Sequence, residues 1–571
     1  MKKYLYIIFI LLLSFTGMQM YAQTTYIPLW AKEGWLLDRM EIKAQTDGNL
    51  NLSTVKPYMR KVYVEVADSF RQLLIDGQNP AKLTKVDQYN LDRFQANNSE
   101  FSRYDTTSMP QWKSKKDFLG FLWPTKGNMV EVKTKDFYLS VNPAINQQQS
   151  IETDFDKRVY VNAKGVVLRG MIADKIGLNF YVTDNQEEGP INWRQFVDSN
   201  NAVPGAGFIK PFKDNAGYDY IDARGSVTWN VTKYVNMQFG FDQNFIGNGY
   251  RSLYMSNFAP SNLFLKFNTR VGKLNYTNIY SELYTPIQPP SGEQYLKQYT
   301  ATHHLSFNAT PWLTVGAFES VVFGELDKFN ASFLQPVIFL NSLLRDRDGN
   351  TNSMIGFDVK ANLIKHVQVY GQYVMQGFNG DDKEGGDFWG NRHGFQAGAK
   401  YVDAFGLKNL DLQAEFNQVR PFTYSSPENA GSWTNYRQSM AHPLGGNFRE
   451  ILGVLRYQPL NKLYIVGRVN YWQQGIDSAG YNFGSNPARN NAIVAEGGLR
   501  LRDNRYEMFA GTSIQCVNTA ITVSYELKEN LFIDLNNLYR LYKKSSNITP
   551  ENTNVLTMGF RWNMFRRDYD Y

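Results

Sequence analysis

The stretch NVLTMGFRWNMF, Asn554–Phe565, divides by alternate residues. Leu556, Met558, Phe560, Trp562 and Met564 fall on one side, and Thr557, Gly559, Arg561 and Asn563 on the other. A strand sends successive side chains to opposite faces, so this one is apolar on one face and polar, even charged, on the other. The same alternation recurs far upstream. Ile176, Leu178, Phe180 and Val182 stand against Gly177, Asn179, Tyr181 and Thr183. Val235, Met237, Phe239 and Phe241 stand against Asn236, Gln238, Gly240 and Asp242, and Leu410–Asn417 repeats the pattern. Each segment reads as a strand with one apolar face. A chain of many such strands can stack those faces in a sandwich or solenoid, or close into a ring that turns them toward lipid.

The connections decide between the two. Short turns are expected near Asp174, Lys233, Lys273, Pro311, Lys365, Pro459 and Glu529. Between them lie long polar stretches: Asp184–Asp219, Gly247–Ser261, Gly324–Asn352, Phe378–Asn391, Pro421–Gly446 and Gln473–Asn490. Regular alternation of short and long connections is the pattern of outer-membrane barrels, with short turns periplasmic and long loops extracellular. The expected fold is therefore all-β: an antiparallel transmembrane β-barrel of roughly 18 strands. Its apolar face meets outer-membrane lipid, Arg561 points into the lumen, and both ends of the chain lie on the periplasmic side.

The first residues have a different texture. Met1-Lys2-Lys3, the apolar run Tyr4–Phe15 and Ala22 read as a secretory signal peptide over residues 1–22. The run is shorter than the roughly 20 apolar residues of a spanning helix. Residues 23–128 read as a small periplasmic helical region, and 129–571 as the barrel. Within the helical region, Lys56-Pro57-Tyr58 suits a helix start, with Val62, Val66 and Phe70 following at helical spacing. Thr84-Lys85-Val86-Asp87 reads as a capping box. Its charged residues read as a solvated face.

Composition excludes several function classes. Cys516 is the only cysteine, so no intrachain disulfide and no Cys-based metal site can form. Sixty basic against 53 acidic residues give a net charge of +7 with no basic run, which argues against a nucleic-acid partner. Beyond the first residues no apolar run reaches spanning length, and mean hydropathy is −0.43, so a helical membrane protein is excluded. Aromatic residues make up 15% of the chain, the excess expected of interfacial girdles.

Chemical motifs are sparse. His304 and Ser306 have the spacing of a base and a nucleophile on one strand face. With Leu305 and Phe307 as apolar neighbours, however, the pair faces the lumen, and no enzyme is expected. Asp346–Asn352 carries spaced oxygen ligands but has Thr351 where a calcium loop needs glycine, and Phe357 where it needs glutamate. No metal site and no cofactor are expected. Gly247-Asn248-Gly249-Tyr250-Arg251 follows a strand and lacks the lysine of a phosphate-binding loop. Two glycines let such a loop fold sharply inward. Asn248, Tyr250 and Arg251 are the candidate ligand-binding residues: the ring can stack on a sugar and the guanidinium can fork onto an anionic group.

NFIGNGYRSLYMSNFAPSNLFLKFNTRVGKLNYTNIYSEL at Asn244–Leu283 resembles the signature stretch of the capsule-assembly Wzi-like outer-membrane barrels and their RemB-like gliding-motility relatives. THHLSFNAT at Thr302–Thr310, GAKYVDAFGLKNLDLQAEFNQVRPFTY at Gly398–Tyr424, AHPLGGNFRE at Ala441–Glu450 and STVKPYMRKVYVEVAD at Ser53–Asp68 fit the same resemblance. It implies a barrel with a periplasm-side helical region, linked to assembly or attachment of surface polysaccharide or to gliding-associated surface functions. It brings no catalytic residues. The expected partners are outer-membrane lipid, an anionic surface polysaccharide and, during biogenesis, the barrel-assembly machinery. The alternatives are a pore for small solutes and, less favoured, a membrane-embedded enzyme.

Overall fold

The computed structural model describes residues 24–104, 122–213, 216–287, 293–323, 329–344, 351–377, 387–427 and 429–571. The proposed signal segment and most of Asp346–Asn352 lie outside the described residues.

Eighteen antiparallel strands close into one barrel. In chain order they are β1 (Phe137–Glu152), β2 (Val159–Ile172), β3 (Ile176–Glu188), β4 (Tyr218–Asn230), β5 (Val235–Asp242) and β6 (Asn262–Val271). Next come β7 (Leu274–Tyr284), β8 (Lys297–Thr310), β9 (Leu313–Phe323), β10 (Asn352–Ile364), β11 (Val367–Gly377) and β12 (Arg392–Tyr401). The last are β13 (Leu410–Val419), β14 (Phe448–Leu460), β15 (Leu463–Ile476), β16 (Thr512–Lys528), β17 (Leu531–Lys544) and β18 (Glu551–Trp562). Each pairs with its neighbour in sequence, and β18 closes onto β1 from Val555 opposite Glu152 to Trp562 opposite Ile145. All seven anticipated short turns fall at the junctions between strands, and an eighth, Val402–Asn409 between β12 and β13, carries Gly406 and Lys408-Asn409 but was not among them. The faces are as read: Leu556, Met558 and Phe560 are exposed on the outer wall, while Arg561 points inward to Asp534, Nε to Oδ2 2.7 Å.

The alternation fails at Met564. The strand ends at Trp562, and residues 563–571 turn back inside the barrel. Met564 is buried there against Ala144, Val161, Ala163 and Tyr181. Its phase in the sequence is that of the outer wall, but the chain leaves the wall one residue earlier.

The helical region occupies the short-turn end of the lumen. Helices α1 (Glu33–Ala44), α2 (Gly48–Asn51), α3 (Arg60–Ile75) and α4 (Lys85–Asn97) share a core of Leu37, Met40, Val64, Ala67, Leu91 and Phe94. The Thr84 capping box is present: Thr84 Oγ1 accepts from Asp87 N at 3.0 Å and Asp87 Oδ2 accepts from Thr84 N at 2.9 Å. Helix α3 starts at Arg60, three residues after Pro57, because Tyr58–Met59 pairs with Tyr26–Ile27 as a short ribbon.

The expected solvated face is overturned. Arg39 pairs with Asp87, Asp411 and Asp403, and Lys43 with Asp87 and Asp403 at 2.9 and 2.7 Å. Arg93 and Lys32 clamp Glu526 and Glu529. Apart from Asp87, which lies in the first turn of α4, these carboxylates belong to the barrel's short turns and strand ends, so the helical charges are buried at the docking surface. Burial works against the Asp87 carboxylate, yet Arg39 and Lys43 hold it well below the usual carboxylate range.

At the opposite end, the β5–β6 and β13–β14 connections fold into the mouth instead of standing away from it. Leu253, Tyr254, Met255, Tyr424, Trp433 and Met440 build an apolar core with the lumen-facing Phe264, Ile279, Phe318, Val374 and Phe448. Tyr254 stacks on Phe318 with centroids 4.2 Å apart. A plug fills one end of the lumen and a core the other, an arrangement unlike that of an open solute channel.

Candidate functional site

Between plug and mouth core lies a cavity of about 510 Å³. Around it meet the start of the helical region, the Gln243–Phe258 loop, the inward-turned segment 565–571, Trp193 and Pro204–Ala206 of the β3–β4 connection, Pro443 of the β13–β14 connection, and the walls of β3, β4 and β12–β18.

The loop is placed by two anchors. Phe245–Ile246 pairs with Val55–Lys56, and Gly247 N donates to Thr54 O at 2.8 Å, so loop and helical region share a two-stranded ribbon inside the lumen. Beyond it, Glu415 on β13 accepts from Tyr250 N at 2.8 Å and from Arg251 N at 3.1 Å. Gly249 is required by space: a Cβ there would stand 2.3 Å from Glu415 Oε2. The inward fold expected from the two glycines is present.

The three candidate residues part company within the loop. Asn248 is buried away from the cavity, and its Oδ1 accepts from Thr54 Oγ1 at 3.3 Å. Tyr250 and Arg251 line the cavity. Tyr250 Oη donates to Asp570 Oδ2 at 3.1 Å and accepts from Arg468 Nη1 at 2.8 Å. Arg251 Nη2 reaches Glu450 Oε1 at 3.2 Å, the Asp570 carbonyl at 2.9 Å and Asp570 Oδ2 at 3.3 Å. Glu450 is in turn held by His442 Nε2 at 2.8 Å. Arg251 is thus a bridge between the wall and the 563–571 segment.

That segment, Arg566-Arg567-Asp568-Tyr569-Asp570-Tyr571, is the part of the site that the sequence reading missed. Asp568 meets Arg468 at 3.2 Å and Arg566 at 3.0 Å. Burial opposes its charge, but the two guanidiniums pull the carboxyl down to about 2. Tyr569 Oη donates to Glu187 at 2.9 Å, and Arg540 donates to the Tyr571 carbonyl at 3.0 Å. An Arg-Arg-Asp-Tyr-Asp-Tyr run directly after the last strand was the available signal.

The lining is cationic and aromatic. Among the described residues, ten lysine and arginine side chains face five carboxylates around the cavity. Most of the cations are paired, but Lys56 and Arg456 have no carboxylate within ion-pair distance among the described residues. Lys56 Nζ lies 4.9 Å above the Phe245 ring and Arg456 lies 5.5 Å from the Trp35 ring centre. Burial brings the Lys56 ammonium down to about 8, with Asp38 working in the other direction. Two cations set on aromatic faces form a corner chemically suited to an anionic sugar, where rings stack on C–H faces and the cations meet a carboxylate.

His304 and Ser306 do face the lumen. His304 Nε2 lies 2.8 Å from Asp358 Oδ2, and Ser306 Oγ lies 3.3 Å from His304 Nδ1. The serine is 1% exposed beneath the mouth core, so this row works as a buried hydrogen-bond chain.

Residues 214–514 match the family described as capsule assembly protein Wzi. Among solved structures the chain is similar to Wzi of Escherichia coli, described as an outer membrane protein involved in group 1 capsule assembly and a carbohydrate-binding β-barrel. The identity is 11%, over 96% of this chain and 100% of that one, with a TM-score of 0.53, a likeness of fold. OprD of Pseudomonas aeruginosa (11% identity, 74% and 94% covered, TM-score 0.41) and OccAB2 of Acinetobacter baumannii (11%, 74% and 98%, 0.40) overlap too loosely to carry an argument. No curated protein sequence matches the chain.

Proposed function

We propose, starting from the fact that the chain belongs to the Wzi family of capsule assembly proteins, that it assembles or holds an acidic surface polysaccharide at the outer membrane. The observation that carries the reading is the family match over residues 214–514. The cavity chemistry supports an anionic glycan in particular. Lys56 and Arg456 receive a sugar carboxylate, and the rings of Trp35 and Phe245 stack on the sugar beside it. Tyr250 and Arg251 line the same cavity, Tyr250 packing with Trp35 on Val454 and Val466, and Arg251 holds the 563–571 segment in place. Asn248 acts on the ligand through the loop it anchors. The long connections face outside and the plugged end faces the periplasm. The filled lumen favours this reading over a solute pore.

The test is a deletion strain complemented with wild type or with the Lys56→Ala/Arg456→Ala double variant, with cell-bound and released glycan measured separately. Deletion is expected to move acidic glycan from the cells to the medium. The double variant, inserted at wild-type level, is expected to do the same in part. Unchanged cell-bound glycan in the deletion strain refutes the function. Full retention by an inserted double variant refutes the assigned corner.

A further inference from the structure

The outer wall of the barrel carries a polar row where lipid contact calls for apolar residues. Asn278 on β7, His303 on β8 and Glu319 on β9 are register partners on three adjacent strands and all point outward. Their faces are fixed by their neighbours: Ile279 and Phe318 belong to the mouth core inside the lumen. Yet all three outward residues are buried, His303 and Glu319 at 0% exposure.

What buries them is part of the β9–β10 connection, residues 329–344, lying down the outside of the barrel. Phe333 packs on Phe323, with centroids 4.5 Å apart, and joins Ala301 and Val321 in a small core outside the wall. Polar groups of the two surfaces pair with one another, while Gln335 Nε2, Asn341 Oδ1 and Ser342 Oγ are buried without a hydrogen bond among the described residues. Glu319 accepts from Phe339 N and Ser342 N, both at 2.6 Å. His303 Nδ1 lies 2.6 Å from Asn278 Oδ1, and Asn341 Nδ2 lies 3.3 Å from His303 Nε2. Tyr276 and Tyr280, also outward on β7, donate to the carbonyls of Pro336 and Gln335. The side turned away from the barrel is apolar: Leu343, Val337, Phe329 and Leu334 are 78%, 57%, 51% and 39% exposed. Phe339 continues this surface to Phe357 on the outer wall of β10, with ring centres 6.3 Å apart.

We infer that residues 329–344 form a strap immersed in the outer-membrane lipid, contacting acyl chains directly. Non-helical backbone survives at membrane depth only where its polar groups are satisfied by protein. Glu319 does this for the amides of Phe339 and Ser342, and Tyr276 and Tyr280 for the carbonyls of Pro336 and Gln335, and the strap in turn shields the row. The apolar surface is continuous with the lipid-facing belt, which identifies acyl chains as its occupant. The inference rests on the barrel alone and is independent of the glycan.

The test uses spin labels on the full chain in phospholipid vesicles, in a Cys516→Ala background because Cys516 is the one native thiol. Labels are placed by Leu343→Cys and, separately, Val337→Cys. Met558→Cys on the lipid-facing wall and Ile548→Cys, 99% exposed in the β17–β18 loop, are the references. Power saturation compares relaxation by oxygen, enriched in lipid, with that by a water-soluble nickel chelate. The strap labels are expected to follow Met558, with high oxygen and low nickel accessibility. The nickel-accessible pattern of Ile548 at both strap positions overturns the inference, because the strap then lies in water. Low accessibility to both relaxants also overturns it, because a protein surface then covers the strap.

Discussion

Replacing Arg93 with alanine should loosen the plug from the barrel, and the size of the effect follows from its surroundings. The Arg93 guanidinium donates to Glu526 Oε2 and Glu529 Oε2, each at 2.6 Å, with both carboxylates nearly inaccessible to solvent. Removing one partner of a buried ion pair costs about 3–5 kcal/mol, because the other charge stays buried without compensation. Two carboxylates are stranded here, but Lys32 remains 2.9 Å from Glu526 and 2.5 Å from Glu529. The low end, about 3 kcal/mol, is therefore expected, or roughly a 150-fold change in the docking equilibrium. Alanine is the better helix former, so loss of intrinsic helix propensity in α4 cannot account for it. Amide hydrogen exchange across Lys85–Asn97 in the detergent-solubilised protein reads the opening directly. Lys61→Ala is the control, since its contact with Glu65 is 3.8 Å long and solvent-exposed, worth about 0–1 kcal/mol. Acceleration by Arg93→Ala no greater than in the control would refute the clamp.

The clamp should also be acid-sensitive. Burial opposes ionisation of Glu529, but Lys32 and Arg93 bring it down to about 2, and Asp403 and Asp87 are likewise lowered. A depressed folded-state pKa stabilises above the unfolded value, near 4, and is lost as pH falls through the folded value, so pepsin should cut within residues 33–97 near pH 2 and spare them near pH 4. Met558→Arg, on the lipid-facing wall, should cost about 2–4 kcal/mol near the midplane, whereas Ile548→Arg in its loop should be silent; equal unfolding temperatures on heat-modified gels would contradict the assigned faces. Gly249→Ala should displace the lumen loop from Glu415 and cost about 1–3 kcal/mol by overpacking, read as a lowered unfolding temperature with insertion retained.

The wall was legible because each strand separates two environments, and residues such as Phe239 against Gln238 record that difference at every step. Three features were not legible, each for its own reason. The buried cations Arg39, Lys43 and Arg93 look like surface residues because Asp403, Asp411 and Glu526, more than 300 positions away, neutralise them only after the barrel closes. Met564 keeps the alternation of β18 although the chain has already left the wall, since a period of two cannot mark where a strand ends. The strap left a trace that reads as noise. Asn278, His303 and Glu319 are polar on the apolar phase of three successive strands, and only the register makes them one row. In the site, the glycines did indicate an inward loop. Lys56 and Arg456 became visible only when the loop ribbon and β14 brought them to the same space.

The ribbon between Phe245–Ile246 and Val55–Lys56 also sets a path for mechanical load. It ties a connection from the long-loop end directly to the helical region at the other end. Tension applied to that connection from the long-loop side passes through the ribbon into the plug and pulls it farther into the lumen. The mouth core blocks that route, and the short turns that clamp the plug share the strain with the wall. Tension from the short-turn side meets the clamp of Arg39, Lys43, Arg93 and Lys32 together with the ribbon and the pairs of Lys360 with Glu41 and Lys400 with Asp38 on the wall. Load entering at either end is thus shared between the plug and the wall and is not borne by the loop alone.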